Sequence, residues 1–294
     1  MQINNQNIFF KSYVKNTDTL DDSIKEKKLV HTTYLFRDSP TLDYLKDYIL
    51  KNFPSGTHIA DFGCSDGEET YSIATMLAEN NNDLRFKITG YDLSENVINK
   101  AKQGAYEFDH LDLALVETEK YYGLENYYKF DQRITKYRDI FRKAFDINIY
   151  KSSDCWKYDK NCKIKSGIIK DSVDFKVANI LDLDTNKLKL PPNTNVIIFK
   201  NAWYHLAPKA IDEAIEKIYR VLPSKGILVV GTLGDDHTLD GREPLSKFPL
   251  ARKLETAGFK PVFYSTNSYG LGKDHETGTA NEERDDIPSV FVKP

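Results

Sequence analysis

Cysteine is scarce in this chain of 294 residues: Cys64, Cys155 and Cys162 are the whole complement. An odd number without CxxC spacing argues against a disulfide framework and against a zinc site, and it fits a reducing compartment. A surplus of one charge is lacking too. The formal net charge is −3, and no lysine- or arginine-rich run stands out. There is no general attraction to nucleic acid or to an anionic membrane surface. Long apolar runs are also missing. The opening "MQINNQNIFFKSYVKN" has no extended apolar core of a secretory leader, and no later stretch approaches the ~20 apolar residues of a membrane span. Neither a repeat nor a low-complexity tract is present. What remains, 40% apolar and 29% charged residues, is enough to bury a substantial core in an ordinary globular chain. A cytoplasmic protein is expected.

From Thr41 onward the periodicity is regular. "TLDYLKDYILKNF" puts Leu42, Leu45, Ile49 and Leu50 on one helical stripe. "THIADFG" reads as a strand ending at Gly63, and "GEETYSIATMLAEN" as a helix with Tyr71, Ile73, Met76 and Leu77 at its apolar positions. "LRFKITGYD" is a second strand ending at Asp92, and "SENVINKAKQG" a helix with Ser94 as N-cap and Gly104 as stop. The alternation breaks over about 106–172, a stretch rich in tyrosine and charge. Its first part reads as helical and its second, "DINIYKSSDCWKYDKNCKIKSG", as irregular or hairpin-like. Strands resume at "VDFKVAN", "NVIIFKN" and "KGILVVGTL", with helices at "PKAIDEAIEKIYRVL" and "EPLSKFPLARKLETAG". Two closing strands, "KPVFYSTN" and "IPSVFVKP", can pair as an antiparallel hairpin. Strands alternating with helices predict a mostly parallel sheet covered on both faces. The expected architecture is a Rossmann-like α/β domain with a seven-stranded, mostly parallel sheet and a C-terminal antiparallel hairpin. Residues 1–30 are expected as an N-terminal arm, and 31–294 as the domain, with one insertion at about 106–172.

The segment with most to say is "DFGCSDGEETYS", Asp61–Ser72. In open parallel sheets ligands bind beyond the carboxyl ends of the strands, so this turn, Asp92, Asn179 and Asn201 are expected to face one crevice. A dinucleotide site needs GxGxxG, and the spacing here is Gly63-x-x-x-Gly67. Asp66, Glu68 and Glu69 would also sit against the phosphates, and no lysine follows Gly67 as a Walker loop requires. "GCSDG" matches the G-x-S-x-G elbow of a hydrolase with Ser65 as nucleophile, but it follows the first strand and no HGGG-type segment lies upstream. S-adenosylmethionine suits the turn better, because its sulfonium and ammonium are cationic and it carries no phosphate. Asp92, about 25 residues past Gly67, is placed to accept from both ribose hydroxyls. The plainer explanation for Glu68 and Glu69, stabilisation of a helix N-terminus through its dipole, does not account for their company with Asp92 and the glycine turn.

Several segments carry a family resemblance: "TTYLFRD", "GCSDGEETYSIA", "GYDLSENVINKAKQGAY", "VDFKVANILD" and "VIIFKNAWYHL". In that order they are similar to CheR-type methyltransferases, which use S-adenosylmethionine to methylate glutamate side chains of chemotaxis receptors. The resemblance covers about Thr32 to Leu233. It implies that Thr33 and Arg37 lie beside the methionine end and the methyl group. It implies that Gly63, Ser65, Gly67 and Glu69 line the cofactor turn, and that Asp92 and its neighbour Leu93 meet the ribose. Asn179 and Ile180 would border the adenine, with Asn201 and Ala202 at the end of the fourth strand. The chain departs from the family where "FFR" becomes Leu35–Phe36–Arg37, where "GTLGDD" ends the fifth strand, in the length of the insertion, and where His205, with Tyr204 adjacent, replaces a tyrosine.

Methyl transfer is an in-line displacement, so the protein chiefly aligns the reactants and controls water. A carboxylate acceptor is ionised at neutral pH and needs a partner to hold it, for which Arg37 is the candidate. An amine, phenol or hydroxyl acceptor would want a base, for which His205 or Tyr204 is placed. The acceptor is expected to be a protein or a small molecule. In the insertion, Tyr121, Tyr122, Tyr127, Tyr128 and Trp156 would form an aromatic wall for it, or a small core of their own. No nucleic acid is expected, since "NAWY" stands where a nucleic-acid enzyme would carry N/D-P-P-Y. Neither a metal nor membrane insertion is expected. The alternative is a non-catalytic sensor or scaffold that binds the cofactor or its product, S-adenosylhomocysteine.

Overall fold

Thr57–Phe62 is buried along its whole length, the mark of a parallel strand covered on both faces. In the computed structural model this strand, β1, lies inside a seven-stranded sheet. The structure describes residues 35–36, 38–80, 85–107, 139–151, 158–200, 202–231, 250–265 and 287–294. In chain order the elements are α1 (Ser39–Asn52), β1, α2 (Glu68–Asn80), β2 (Phe86–Asp92), α3 (Glu95–Gln103), β3 (Ala105–Glu107), β4 (Phe145–Lys151), β5 (Tyr158–Ile164) and α4 (Ile168–Asp171). They continue with β6 (Val173–Val177), β7 (Thr194–Ile198), α5 (Pro208–Val221), β8 (Ile227–Val229), α6 (Leu250–Thr256), β9 (Lys260–Ser265) and β10 (Ile287–Val292).

The sheet order is β6-β2-β1-β7-β8-β10-β9. The first five strands run parallel, and β10 is antiparallel to both β8 and β9. The expected closing hairpin is therefore present, and its second strand is the inner one. Because successive strand side chains point to opposite faces, β1 and β7 feed two cores. Ile59, Val196 and Ile198 pack with Leu42, Leu45, Ile49, Tyr71, Met76 and Leu77 of α1 and α2. Ala60, Phe62 and Ile197 pack with Ile211, Ile215 and Ile218 of α5 and Leu254 of α6. Helix α1 stands on the β9–β10 edge. Tyr44 stacks on Phe263 at 4.7 Å, and Thr41 Oγ1 lies 3.2 Å from Ser289 Oγ.

The insertion builds a second, antiparallel sheet in the order β3-β5-β4. The hairpin-like reading of its latter part holds, with β4 and β5 paired from Phe145↔Ile164 to Lys151↔Tyr158. Its first strand begins at Ala105, at the edge of the boundary expected from the sequence. Tyr71, Tyr106, Phe141, Phe145 and Phe175 form an aromatic chain that joins this sheet to α2 and β6. The five insertion aromatics, expected to form an acceptor wall or a small core of their own, lie outside the described residues, as does the first part of the segment expected as the helix before Gly258. Gly104 stops α3 in the left-handed conformation, as expected. Ser94 stands at the N-cap, but its hydroxyl makes no capping bond. Among the described residues no helix is long and apolar enough to cross a membrane.

Candidate functional site

Beyond Phe62 the chain leaves the sheet in a tight turn. The amides of Gly63 and Cys64 both donate to the Tyr91 carbonyl, at 2.7 and 3.1 Å, which ties the turn to the end of β2. The amide of Gly67 donates to the Cys64 carbonyl at 3.0 Å and closes it. Gly63, Ser65 and Gly67 take φ of 72°, 52° and 90°, a region open to glycine and unusual for serine. Gly67 also leaves room for the ring of Phe175, which a Cβ there would meet at 2.7 Å. Gly63 is exposed although it follows a fully buried strand.

Asp92, last residue of β2, binds the turn and the next helix together. Its Oδ2 accepts the Ser65 amide at 3.0 Å, and its Oδ1 accepts the Ser94 amide at 2.9 Å. A carboxylate oxygen can accept more than one donor. Two buried hydroxyls flank it, Ser65 Oγ and Ser94 Oγ, and neither has a hydrogen-bond partner among the described residues. Unsatisfied buried hydroxyls beside a carboxylate suit a ligand with its own hydroxyls. The chain runs β1, β2, β6 toward one side of the sheet and β7, β8 toward the other. Gly63 and Asp92 thus lie at the carboxyl end of the strands, at the point where the strand order reverses, the usual ligand position in such sheets.

Under the turn is a buried ionic cluster. Lys200, just past the end of β7, brings Nζ to 3.1 Å from Glu69 Oε1 and 3.7 Å from Asp38 Oδ2. Asp61 is buried beneath and accepts the Thr70 hydroxyl at 2.5 Å. Asp61 therefore does not face the crevice as expected. Burial, with Glu69 nearby, pushes its carboxyl well above the usual range. Burial also raises Asp66 to about 6, against the opposing pull of Lys100. Glu69 does more than favour a helix start, since it is the counter-ion of Lys200. Sequence reasoning passed over Lys200; a charged residue closing the apolar run "NVIIF" was the available signal, since a charge so placed must be paired.

The remaining expected residues separate by position. Asn179 follows β6, and its Oδ1 accepts the Leu181 amide at 2.9 Å, capping the short turn Ile180–Asp182. Ile180 is buried and Leu93 half-buried. Ala202 opens a second turn, Trp203–His205, and a Cβ on Gly63 would lie 3.1 Å from the Ala202 Cβ. His205 is half-buried in that turn, which also contains Tyr204. Thr33, Arg37 and Asn201 lie outside the described residues, although Phe36 and Asp38 bracket Arg37 in sequence. The structure thus brings Gly63, Ser65, Gly67, Glu69, Asp92 and Ala202 to one end of the sheet.

Residues 31–144 match the family described as CheR methyltransferase, SAM binding domain. A chemotaxis protein methyltransferase of Borreliella burgdorferi is 32% identical over 122 residues, which are 35% of this chain and 43% of that protein. One from Campylobacter jejuni is 25% identical over 224 residues, 76% of this chain and 71% of the relative. The match thus spans less than half the length of the Borreliella protein. Among solved structures, the N-methyltransferase NodS of Bradyrhizobium japonicum in complex with S-adenosyl-L-homocysteine is 15% identical, with a TM-score of 0.44 over 87% of each chain. The exposed glycine and the hydroxyl-flanked Asp92 fit S-adenosylmethionine, the cofactor named for that domain. Over residues 31–144 the chain is thus similar to the CheR methyltransferase SAM-binding domain, at a distance that the 32% and 25% identities to these two relatives measure.

Proposed function

We propose that this protein is an S-adenosylmethionine-dependent methyltransferase that esterifies a carboxylate of a protein acceptor. The observation that carries the reading is Asp92, with both oxygens on turn amides and, beside it, two hydroxyls that have no partner among the described residues. The names of the curated relatives, chemotaxis protein methyltransferases, support a protein acceptor.

When bound, the cofactor supplies a methyl group activated by its sulfonium. Held by Asp92 and the glycine turn, it would donate that methyl to an acceptor carboxylate oxygen, giving an ester and S-adenosylhomocysteine. The protein's share is alignment. Asp92 accepts the ribose hydroxyls while Ser65 and Ser94 hold its carboxylate in place through their amides. Thr33 and Arg37 hold the methionine end and the acceptor carboxylate, and Asn201 completes the wall with Ala202. Asn179 and Ile180 border the adenine, next to Leu93. His205 and Tyr204 close the acceptor side of the turn.

Two measurements test this. Calorimetric titration with S-adenosylhomocysteine should show micromolar binding to the wild type. Asp92→Asn should weaken it by about tenfold or more, since a hydrogen bond to a charged group contributes about 1.5–3 kcal/mol. NAD should not bind. A methyl-labelled cofactor incubated with a chemoreceptor signalling fragment should then give label that mild alkali releases as methanol, as an ester does. Absence of cofactor binding would sink the proposal, and alkali-stable label would move the acceptor atom from oxygen to nitrogen.

A further inference from the structure

We infer that β6 is a dimer interface: its outer edge pairs antiparallel with β6 of a second copy of this chain, centred on Phe175, so that two seven-stranded sheets become one.

Among the described residues β6 pairs with β2 alone, and it is the outermost strand on its side of the sheet. Hydrogen bonds at its two ends fix which way its backbone faces. The amide of Ile88 donates to the Ser172 carbonyl at 2.8 Å, and the amide of Ala178 donates to the Asp92 carbonyl at 3.0 Å. Backbone groups alternate sides along a strand, so Asp174 and Lys176 face β2 as Ser172 and Ala178 do. The amides and carbonyls of Val173, Phe175 and Val177 face outward. The Phe175 amide agrees: it donates to Asp174 Oδ1 at 2.9 Å, a side chain standing in for a neighbouring strand. Such an outward row is a template for another strand.

The sequence of β6, Val-Asp-Phe-Lys-Val, selects that strand. Laid antiparallel against itself about Phe175, it sets Asp174 opposite the partner's Lys176 and Lys176 opposite the partner's Asp174. A valine meets a valine at each end. The pairs with outward backbone groups become the hydrogen-bonded ones, and the charged pairs fall at the closer positions between them. On pairing, the Phe175 amide passes from Asp174 to the carbonyl of the partner's Phe175, which releases Asp174 to the partner's Lys176.

Both charged side chains have the freedom for this exchange. They lie 3.2 Å apart on the strand, and each is more than half exposed. The charges also admit only one register. A slip of two residues either way brings Asp174 onto the partner's Asp174, or Lys176 onto the partner's Lys176. A self-complementary edge closes as a two-fold pair and does not propagate. The apolar exposure is consistent with this. Ile168 and Val177, 58% and 53% exposed, stand at opposite ends of the α4–β6 segment, and antiparallel pairing brings the end of one copy to the start of the other. A single five-residue strand is a small interface, so a Kd in the micromolar range is expected.

Sedimentation velocity over a concentration series tests this. Wild type should pass from monomer to dimer in the micromolar range. Asp174→Lys and Lys176→Asp each oppose like charges at both charged pairs, and each should raise Kd about tenfold or more. Mixed in equal amounts, these two variants should recover a dimer between unlike chains, because every lysine again meets an aspartate. Val177→Pro removes an outward amide that β2 does not use. It should abolish the dimer with a thermal melt close to wild type, and it decides the matter if a charge variant does not fold. A wild type that stays monomeric through the micromolar range overturns the inference. So does a dimer that survives Val177→Pro or both charge variants, or a pair of charge variants that fail to recover one another on mixing.

Discussion

The phenol of Tyr106 donates to the backbone carbonyl of Asp66 at 3.0 Å, so the first strand of the small sheet is hydrogen-bonded to the middle of the glycine turn. Forty residues separate the two in sequence. The ring of Tyr106 packs edge-on to Tyr71 of α2 and is buried. Whatever the insertion does is thereby coupled to the shape of the cofactor turn.

Tyr106→Phe keeps the ring and removes the donor. Stability should fall by about 1 kcal/mol, the usual net value of one hydrogen bond. Affinity for S-adenosylhomocysteine should fall a few-fold as the Asp66 peptide loosens. Thermal denaturation and titration read these separately. Unchanged affinity would mean that the insertion and the turn are not coupled through this bond.

His58 gives the fold a pH signature. It is buried in β1, with Nδ1 at 2.8 Å from Thr194 Oγ1 and Nε2 at 2.9 Å from Thr89 Oγ1, bridging β7 and β2. Burial, helped by Lys176, lowers it to about 4 from an ordinary 6.5. The folded chain stays neutral where the unfolded chain takes a proton, so this term stabilises above pH 6.5 and fades as pH falls toward 4. Between pH 7.5 and 5 the deficit of His58→Gln relative to wild type should shrink by about 2 kcal/mol. Asp61 and Asp66, raised rather than lowered, run the other way, but they are present in both proteins and cancel in the difference. Denaturant melts at the two pH values provide the check. A constant deficit would mean that the imidazole is protonated inside the fold.

Lys293 caps a helix from outside. Its ammonium donates to the carbonyls of Tyr219 and Leu222, at 2.7 and 2.6 Å, and lies 4.7 Å from the centroid of the Tyr219 ring. Positive charge at a helix C-terminus is favourable. Lys293→Met should cost about 1–2 kcal/mol, read as a Tm lower by about 2–3 °C, with cofactor affinity unchanged. Restoration by Lys293→Arg would support the cap, and a Tm equal to wild type would exclude it.

The sheet was legible because its strands carry the signal densely. Val196, Ile197 and Ile198, or Ile227, Leu228 and Val229, are apolar on both faces and bounded by turn residues, which only a covered parallel sheet satisfies. Asp92 was legible for a related reason, since its place follows from where β2 must stop. Lys200 was not, because its meaning lies in Asp38 and Glu69, which are distant in sequence and meet it only after β7 joins β1. The inner position of β10 was hidden too. Two consecutive strands announce a hairpin, but which of them faces β8 depends on long-range register. Ser94 stands at the N-cap as its type and place suggest, yet its hydroxyl accepts no helix amide, while its own amide donates to Asp92, which no local rule indicates.

The threading of the last strands has a mechanical consequence. Among the described strands β9 pairs only with β10, and β10 with both β8 and β9, so the outer strand hangs on one that the chain reaches later. Freeing β10 would drop β9 with it and remove Phe263 from under Tyr44 and Ser289 from beside Thr41. Those two contacts are part of the footing of α1, beside its core residues Leu42, Leu45 and Ile49, and the residue at the head of α1 is Asp38. The far rim of the sheet is thus joined, through α1 and Asp38, to Lys200 under the glycine turn, and loosening the rim would withdraw support from that end of the helix.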